Sequence, residues 1–310
     1  MKIGYSTWSM FSTPYQVWLP GLAEIGYRAI ALNVSPGGGR RPNTTSLASL
    51  TKEDRRRIRD GCAERGIEID AVMGHRSMLS RDPAEADANM QRLKDTVDFC
   101  VEIAHDRLPA MTSTAGGRPD TYDADKTLLV ERAGELADYA RSRGVVVGLE
   151  AHANTAVSTP QRVQEILGAV NSPHCRLDYD SSHFEVQMIP MEEAIPAVLP
   201  LTVVCDIKDQ RVRYADTPAP PGWRIQGNGI DKTVSPEGRP IEWQWVIGGE
   251  GDHDLTRFLR LMHAHRWTGA LCYEMSLQVQ QRPGYDALDA AAKTYAWMAH
   301  AWKEAGVPLD

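Results

Sequence analysis

The sequence predicts a parallel (β/α)8 barrel, the TIM-barrel class, from three observations. Eight short apolar runs are spread along a chain of 310 residues. Amphipathic segments with the helical period separate them. The fifth to the eighth runs each close on a carboxylate. Strand–helix alternation repeated eight times favours a barrel, and one barrel accounts for a chain of this length. A doubly wound open sheet normally carries a glycine-rich nucleotide turn after its first strand, and "GYSTWSM" has none.

In chain order, the first strand is "KIGYS" (2–6) and the second "RAIALN" (28–33). The following "NVSPGGGRRPNTTS" (33–46) reads as a mobile loop from its Gly, Pro and Arg content. "IEIDAVM" (67–73) is the third strand and "RLPAMT" (107–112) the fourth. Between them Leu93, Val97, Cys100, Val101 and Ala104 keep the 3.6 period. Leu129, Ala133, Leu136, Ala137 and Ala140 repeat it before the fifth strand, "VVVGLE" (145–150). Thr159 as N-cap and Pro160 at the first helical position start the next helix. "CRLDYD" (175–180), "LTVVCD" (201–206) and "GALCYE" (269–274) complete the eight. A last helix shows Leu288, Ala292, Tyr295, Ala299 and Trp302 on one face. Residues 210–248, with "TPAPPG", Trp223, Trp243 and Trp245, read as one long loop after strand 7. The tryptophans argue for order, as a lid or as an interface with another subunit. The chain reads as a single domain, 1–310.

Composition excludes several function classes. The chain is 42% hydrophobic and 24% charged, as globular proteins are, with a formal charge of −7. That balance offers no footprint for nucleic acid or an anionic membrane surface. "MKIGYSTWSMF" lacks the apolar segment of a signal peptide, and no run approaches a membrane span. Five widely spaced cysteines without Cys-x-x-Cys suggest neither a disulfide framework nor a thiolate metal site. A reduced, cytoplasmic protein is expected.

The carboxylates are Glu150, Asp180, Asp206 and Glu274. In a parallel barrel the strand C-termini share one rim, so acids remote in sequence meet there. Asp180 or Asp206 would also serve as a helix cap, but Glu caps poorly, so Glu150 and Glu274 need another reason. Four converging carboxylates repel unless a cation or protons neutralise them. A divalent metal is the economical solution: Mn²⁺ first, with Mg²⁺, Co²⁺ or Zn²⁺ as alternatives. His183, three residues past Asp180, and His152, two past Glu150, are candidate substrate contacts, as is His75 after the third strand. Lys208, between two acids in "CDIKD", is a candidate to hold a substrate oxygen. The glycines of "GGEGDHDL" (248–255) resemble a phosphate loop, but its acids would repel phosphate; it reads as a turn before a helix capped by Asp254.

"KIGYSTWS", "GLEAH", "DSSH", "CDIKD", "GGEGDHDL" and "GALCYE" occur in an order that resembles the xylose-isomerase-like barrel superfamily. This is the sugar phosphate isomerase/epimerase group, which also includes inosose dehydratase and endonuclease IV. The resemblance implies a metal held by Glu150, Asp180, Asp206 and Glu274. It implies that the two glutamates exchange protons with carbon on either face of a sugar, and that His183 contacts substrate near the metal. Two departures stand out. The third ligand is usually His, in His-x-Lys-Asp, where this chain has Asp206-Ile207-Lys208-Asp209. The second strand reads "AIALN" without the usual Glu.

The expected function is metal-dependent isomerisation or epimerisation of a small keto-sugar or polyol, with Glu150 and Glu274 as acid and base. The alternative on the same site is a dehydratase or a lyase acting on a 3-oxo-glycoside. A small carbohydrate is the expected partner, with no nucleic acid and no membrane. A homo-oligomer is expected, with 210–248 a candidate for docking between subunits.

Overall fold

Eight parallel strands close into a barrel because small residues point inward and larger ones outward. They are β1 (Lys2–Ser6), β2 (Ala29–Asn33), β3 (Glu68–Met73), β4 (Ala110–Thr114), β5 (Val147–Glu150), β6 (Cys175–Asp180), β7 (Thr202–Ile207) and β11 (Ala270–Tyr273). β11 pairs with both β7 and β1, completing the ring with Tyr5 opposite Tyr273. The computed structural model describes residues 1–36, 43–80, 82–225 and 227–310. The Gly- and Arg-rich centre of the loop expected at 33–46 lies outside the described residues.

Ala29, Ala31, Ala71, Ala110, Val204 and Cys272 belong to one buried cluster, which fills the lumen. Their neighbours Ile30, Leu32, Val72 and Leu271 belong to the larger core shared with the surrounding helices. This period of two fixes the direction of every residue that follows along each strand. Gly148 shows how tight the lumen is: a Cβ there would lie 3.2 Å from Asp178 Cβ and 3.3 Å from Thr112 Cγ2. Asp178 therefore sits inside the barrel, one layer below Asp180.

Helix starts follow local chemistry. Thr159 accepts a hydrogen bond from the Arg162 amide at 3.3 Å, with Pro160 first in the helix Pro160–Val170. Asp254 caps Leu255–Ala264 through the Arg257 amide at 3.0 Å. Among the described residues no helix is long and apolar enough to cross a membrane.

The stretch 210–248 is not one loop. It folds into an antiparallel sheet of β8 (Asp209–Tyr214), β9 (Asp231–Val234) and β10 (Pro240–Val246), in the order β8-β10-β9. Opposite residues explain the register: Glu242 faces Arg213, and their charged groups meet at 2.7 Å. Trp243 and Trp245 alternate with Gln244, so both rings turn to one face and are buried with Trp223 inside the chain. Asn154 donates to the Lys232 carbonyl at 3.0 Å, and Gln278 donates to Asp231 at 2.9 Å. The sheet is thereby tied to the barrel rim beside β5 and β11.

Candidate active site

The rim at the strand C-termini gathers the predicted acids, although not all at strand ends. Glu150 and Asp180 are the last residues of β5 and β6. Asp206 lies inside β7, directly beside Asp180 in the register, and Glu274 follows the last residue of β11. All four are buried, with Lys208 among them. Asp206 and Lys208 are two residues apart and share the inward direction of Val204.

A continuous chain of polar groups crosses the mouth. His183 Nε2 lies 3.6 Å from Glu150 Oε1 and 3.5 Å from Asp180 Oδ2. Asp180 Oδ2 accepts from Lys208 Nζ, which also lies 2.8 Å from Glu274 Oε1. His75 Nδ1 approaches Glu150 from the other side at 3.6 Å. Asp180 Oδ1 accepts from the Ser182 amide at 3.0 Å and from its hydroxyl. This carboxylate thus shapes the turn into the short helix Ser182–Glu185 while its second oxygen faces the mouth.

His152 packs on His183 with ring centroids 3.6 Å apart. Its Nδ1 is 2.7 Å from the Ala153 carbonyl, so Nδ1 carries the proton and Nε2 keeps its lone pair. Ligand atoms of Glu150, His152 and His183 all lie within 4.8 Å of one another. These three could hold a metal ion. Both ring nitrogens of His183 are buried and lack a hydrogen-bond partner, as does Asp206 Oδ1. The orphaned His183 nitrogens, beside Glu150 and His152, fit a divalent cation.

The acids do not titrate alike. Burial favours the neutral form of each, but the imidazoles of His183, His75 and His152 around Glu150 hold its carboxyl well below the usual range. For Asp180, Lys208 outweighs the same burial, and the carboxyl is held below its usual value. Glu274 is pushed up by burial, against the pull of Lys208 and with the repulsion of Glu150 and Asp180. Asp206 and Asp178 rise well above the usual range, first by burial and then by neighbouring carboxylates. Burial alone would lower the Lys208 ammonium, yet Asp180 and Glu274 hold it well above its usual value. His152 is brought down to about 4 by burial and by His183. The mouth thus pairs a glutamate held below its usual range with one raised above it.

Two aromatic walls complete the site. Trp245 on β10 stands edge-on to His183 at 5.6 Å between centroids, and Lys208 Nζ lies 5.7 Å from its ring. Trp8 packs against His75 at 5.7 Å. The alternation Trp243-Gln244-Trp245 was the available signal for the first wall. Reading the stretch as a loop left the direction of those rings undefined.

The turn at 248–251 receives an anion from within the chain. Asp209 Oδ2 accepts from the amides of Gly249 and Gly251, each at 2.8 Å, and Oδ1 from the His253 amide at 3.2 Å. His253 in turn lies 2.7 Å from Glu185 Oε2. A Cβ on Gly251 would collide with the Asp209 carboxyl and lie 2.7 Å from the Gln210 carbonyl. Gly251→Ala should therefore cost roughly 2 kcal/mol in a urea melt; an unchanged midpoint would show that the cradle yields freely.

Residues 21–301 match the family described as xylose isomerase-like TIM barrel. The chain belongs to this family. No curated protein matches the sequence significantly. Solved structures of similar fold include the apo form of 3-keto-D-glucoside 4-epimerase, YcjR, from E. coli. It is 14% identical, with TM-score 0.69 over 97% of this chain and 99% of that one. The probable 3-DHS dehydratase AsbF from Bacillus anthracis is 15% identical, with TM-score 0.68 over 96% and 99%. IOLI protein with a bound zinc atom is 17% identical, with TM-score 0.70 over 99% and 98%. At these identities the likeness shows the barrel fold alone and leaves the chemistry to this chain's residues.

Proposed function

We propose that this protein is a divalent-metal-dependent isomerase or epimerase of a small keto-sugar or polyol, acting by proton transfer next to a carbonyl. One observation carries the reading. Glu150 and Glu274 enter the mouth from strands separated by β6 and β7, joined through His183, Asp180 and Lys208. Inverting a carbon needs a proton removed from one face and returned to the other, and two glutamates on opposite sides supply that.

Glu150, Asp180, Asp206 and Glu274 would hold the cation, with His152 and His183 offering nitrogen beside Glu150. Mn²⁺ suits this mixed set best, ahead of Mg²⁺, Co²⁺ or Zn²⁺. When bound, the ion polarises a carbonyl and acidifies the adjacent C–H. Glu150 takes the proton on one side of the carbon and Glu274 returns one from the other. Lys208 holds a substrate oxygen between the two. His75 and His152 orient Glu150 and border the substrate. Trp245 and Trp8 exclude water and give the sugar an apolar surface.

The raised value of the Glu274 carboxyl is compatible with a second reading. An acid opposite a charged base can protonate a departing oxygen, giving dehydration or β-elimination from a 3-oxo-glycoside. The likeness to a dehydratase fold is compatible with it. Incubation of keto-sugars, inososes and 3-oxo-glycosides in D₂O with Mn²⁺ separates the two. Deuterium incorporation with the carbon skeleton and substituents retained, abolished by chelator, is the expected result. Loss of water or aglycone would assign the lyase reaction, and no exchange with any carbonyl substrate would refute both.

A further inference from the structure

Outside the barrel mouth, a cavity of about 460 Å³ lies between the helices Lys52–Glu64 and Pro83–Ile103. It touches the chain just after β3, where neighbours diverge: His75 turns to Glu150, while Gly74 and Arg76 line the cavity. Val34, Leu47 and Phe99 give it an apolar wall. The volume falls within the usual range for sites of small organic ligands.

Its charges are unevenly matched. Arg55 is already engaged, 2.7 Å from Glu102 and over the Phe99 ring at 5.4 Å. Asp98 is taken by Tyr139 at 2.9 Å and Arg143 at 2.8 Å, and Asp95 accepts from Gln91 at 2.8 Å. Among the described residues neither Arg76 nor Arg92 is paired with a carboxylate, and the residues outside that description include no acid. Arg76 Nη1 donates to the His75 carbonyl at 3.2 Å, while its buried Nε has no partner. Burial, and then the like charge of Arg92, hold the Arg76 guanidinium below its usual value. A half-buried guanidinium beside a second cation, with an orphaned N–H, is an unfavourable arrangement that a bound anion relieves.

We propose that this cavity binds a small organic phosphate monoester. Arg76 and Arg92 hold the dianionic group, for which paired guanidiniums provide both charge and forked donors. Phe99 and Leu47 cover the organic part. The site is separate from the mouth and independent of the reaction assigned to it.

Calorimetric titration of the full chain with phenyl phosphate tests the assignment. Saturable binding is expected, weakened about tenfold or more in Arg76→Met and in Arg92→Met, as for loss of a charged hydrogen bond. Arg92 is exposed, so its replacement leaves the core intact. Glu274→Gln, which alters only the mouth, should bind phenyl phosphate as the parent does. Absence of saturable binding in the parent would overturn the proposal. So would undiminished binding in both arginine variants, or loss in Glu274→Gln, which would place the ligand in the mouth.

Discussion

Glu150→Gln should lower turnover by about 10³-fold or more, while leaving the protein folded. The amide keeps the volume and planarity of the carboxylate but cannot accept a carbon-bound proton. His183 at 3.6 Å and His75 at 3.6 Å lose the charge that they face, so the effect is confined to the mouth. Glu274→Gln should suppress net conversion equally, but with a different residue of activity. Each variant retains one glutamate, so deuterium exchange from a single face survives while passage between faces does not. Measuring exchange and net conversion together on both variants tests the pair. Near-parental conversion in either would remove the acid–base assignment.

Lys208→Met should destabilise the metal-free protein at neutral pH by about 3 kcal/mol, because it leaves buried carboxylates without their ammonium. The direction with pH follows from the shifts. Asp180 is held below its usual value, so its contribution is present above the unfolded-state value and fades as pH falls through the folded one. Lys208 is held above its usual value, so its contribution is present below the unfolded-state value and is lost only as pH rises through the raised one. The pair thus works between roughly pH 4 and pH 10. Urea midpoints measured with chelator should separate parent from variant at pH 7 and converge as the solution becomes acidic. Equal midpoints at pH 7 would mean that the carboxylates are protonated without the lysine.

Much of this arrangement was legible because barrel geometry converts strand ends into neighbours. Glu150 and Asp180 stand where the apolar runs stop. Asp206 was harder to place: β7 continues to Ile207, so the acid sits beside Asp180 and not beyond it. Lys208 was legible as a site residue between two acids, but its bridge between Asp180 and Glu274 depends on how two other strands converge. The sheet at β8, β9 and β10 was obscured because "TPAPPG" and the irregular residues after it separate β8 from its partners. Proline and glycine there mark the crossing between β8 and β9, and the paired alternation around Arg213 and Glu242 carries the register.

The glycine turn that encloses Asp209 has a consequence for anion binding. Its amides are directed at an internal carboxylate, so an incoming phosphate would have to expel an anion that is covalently part of the wall. Such competition is intramolecular, and the resident group wins at any ordinary concentration of the outsider. The turn therefore offers an outside phosphate no vacant amide cradle, because its own chain already fills it.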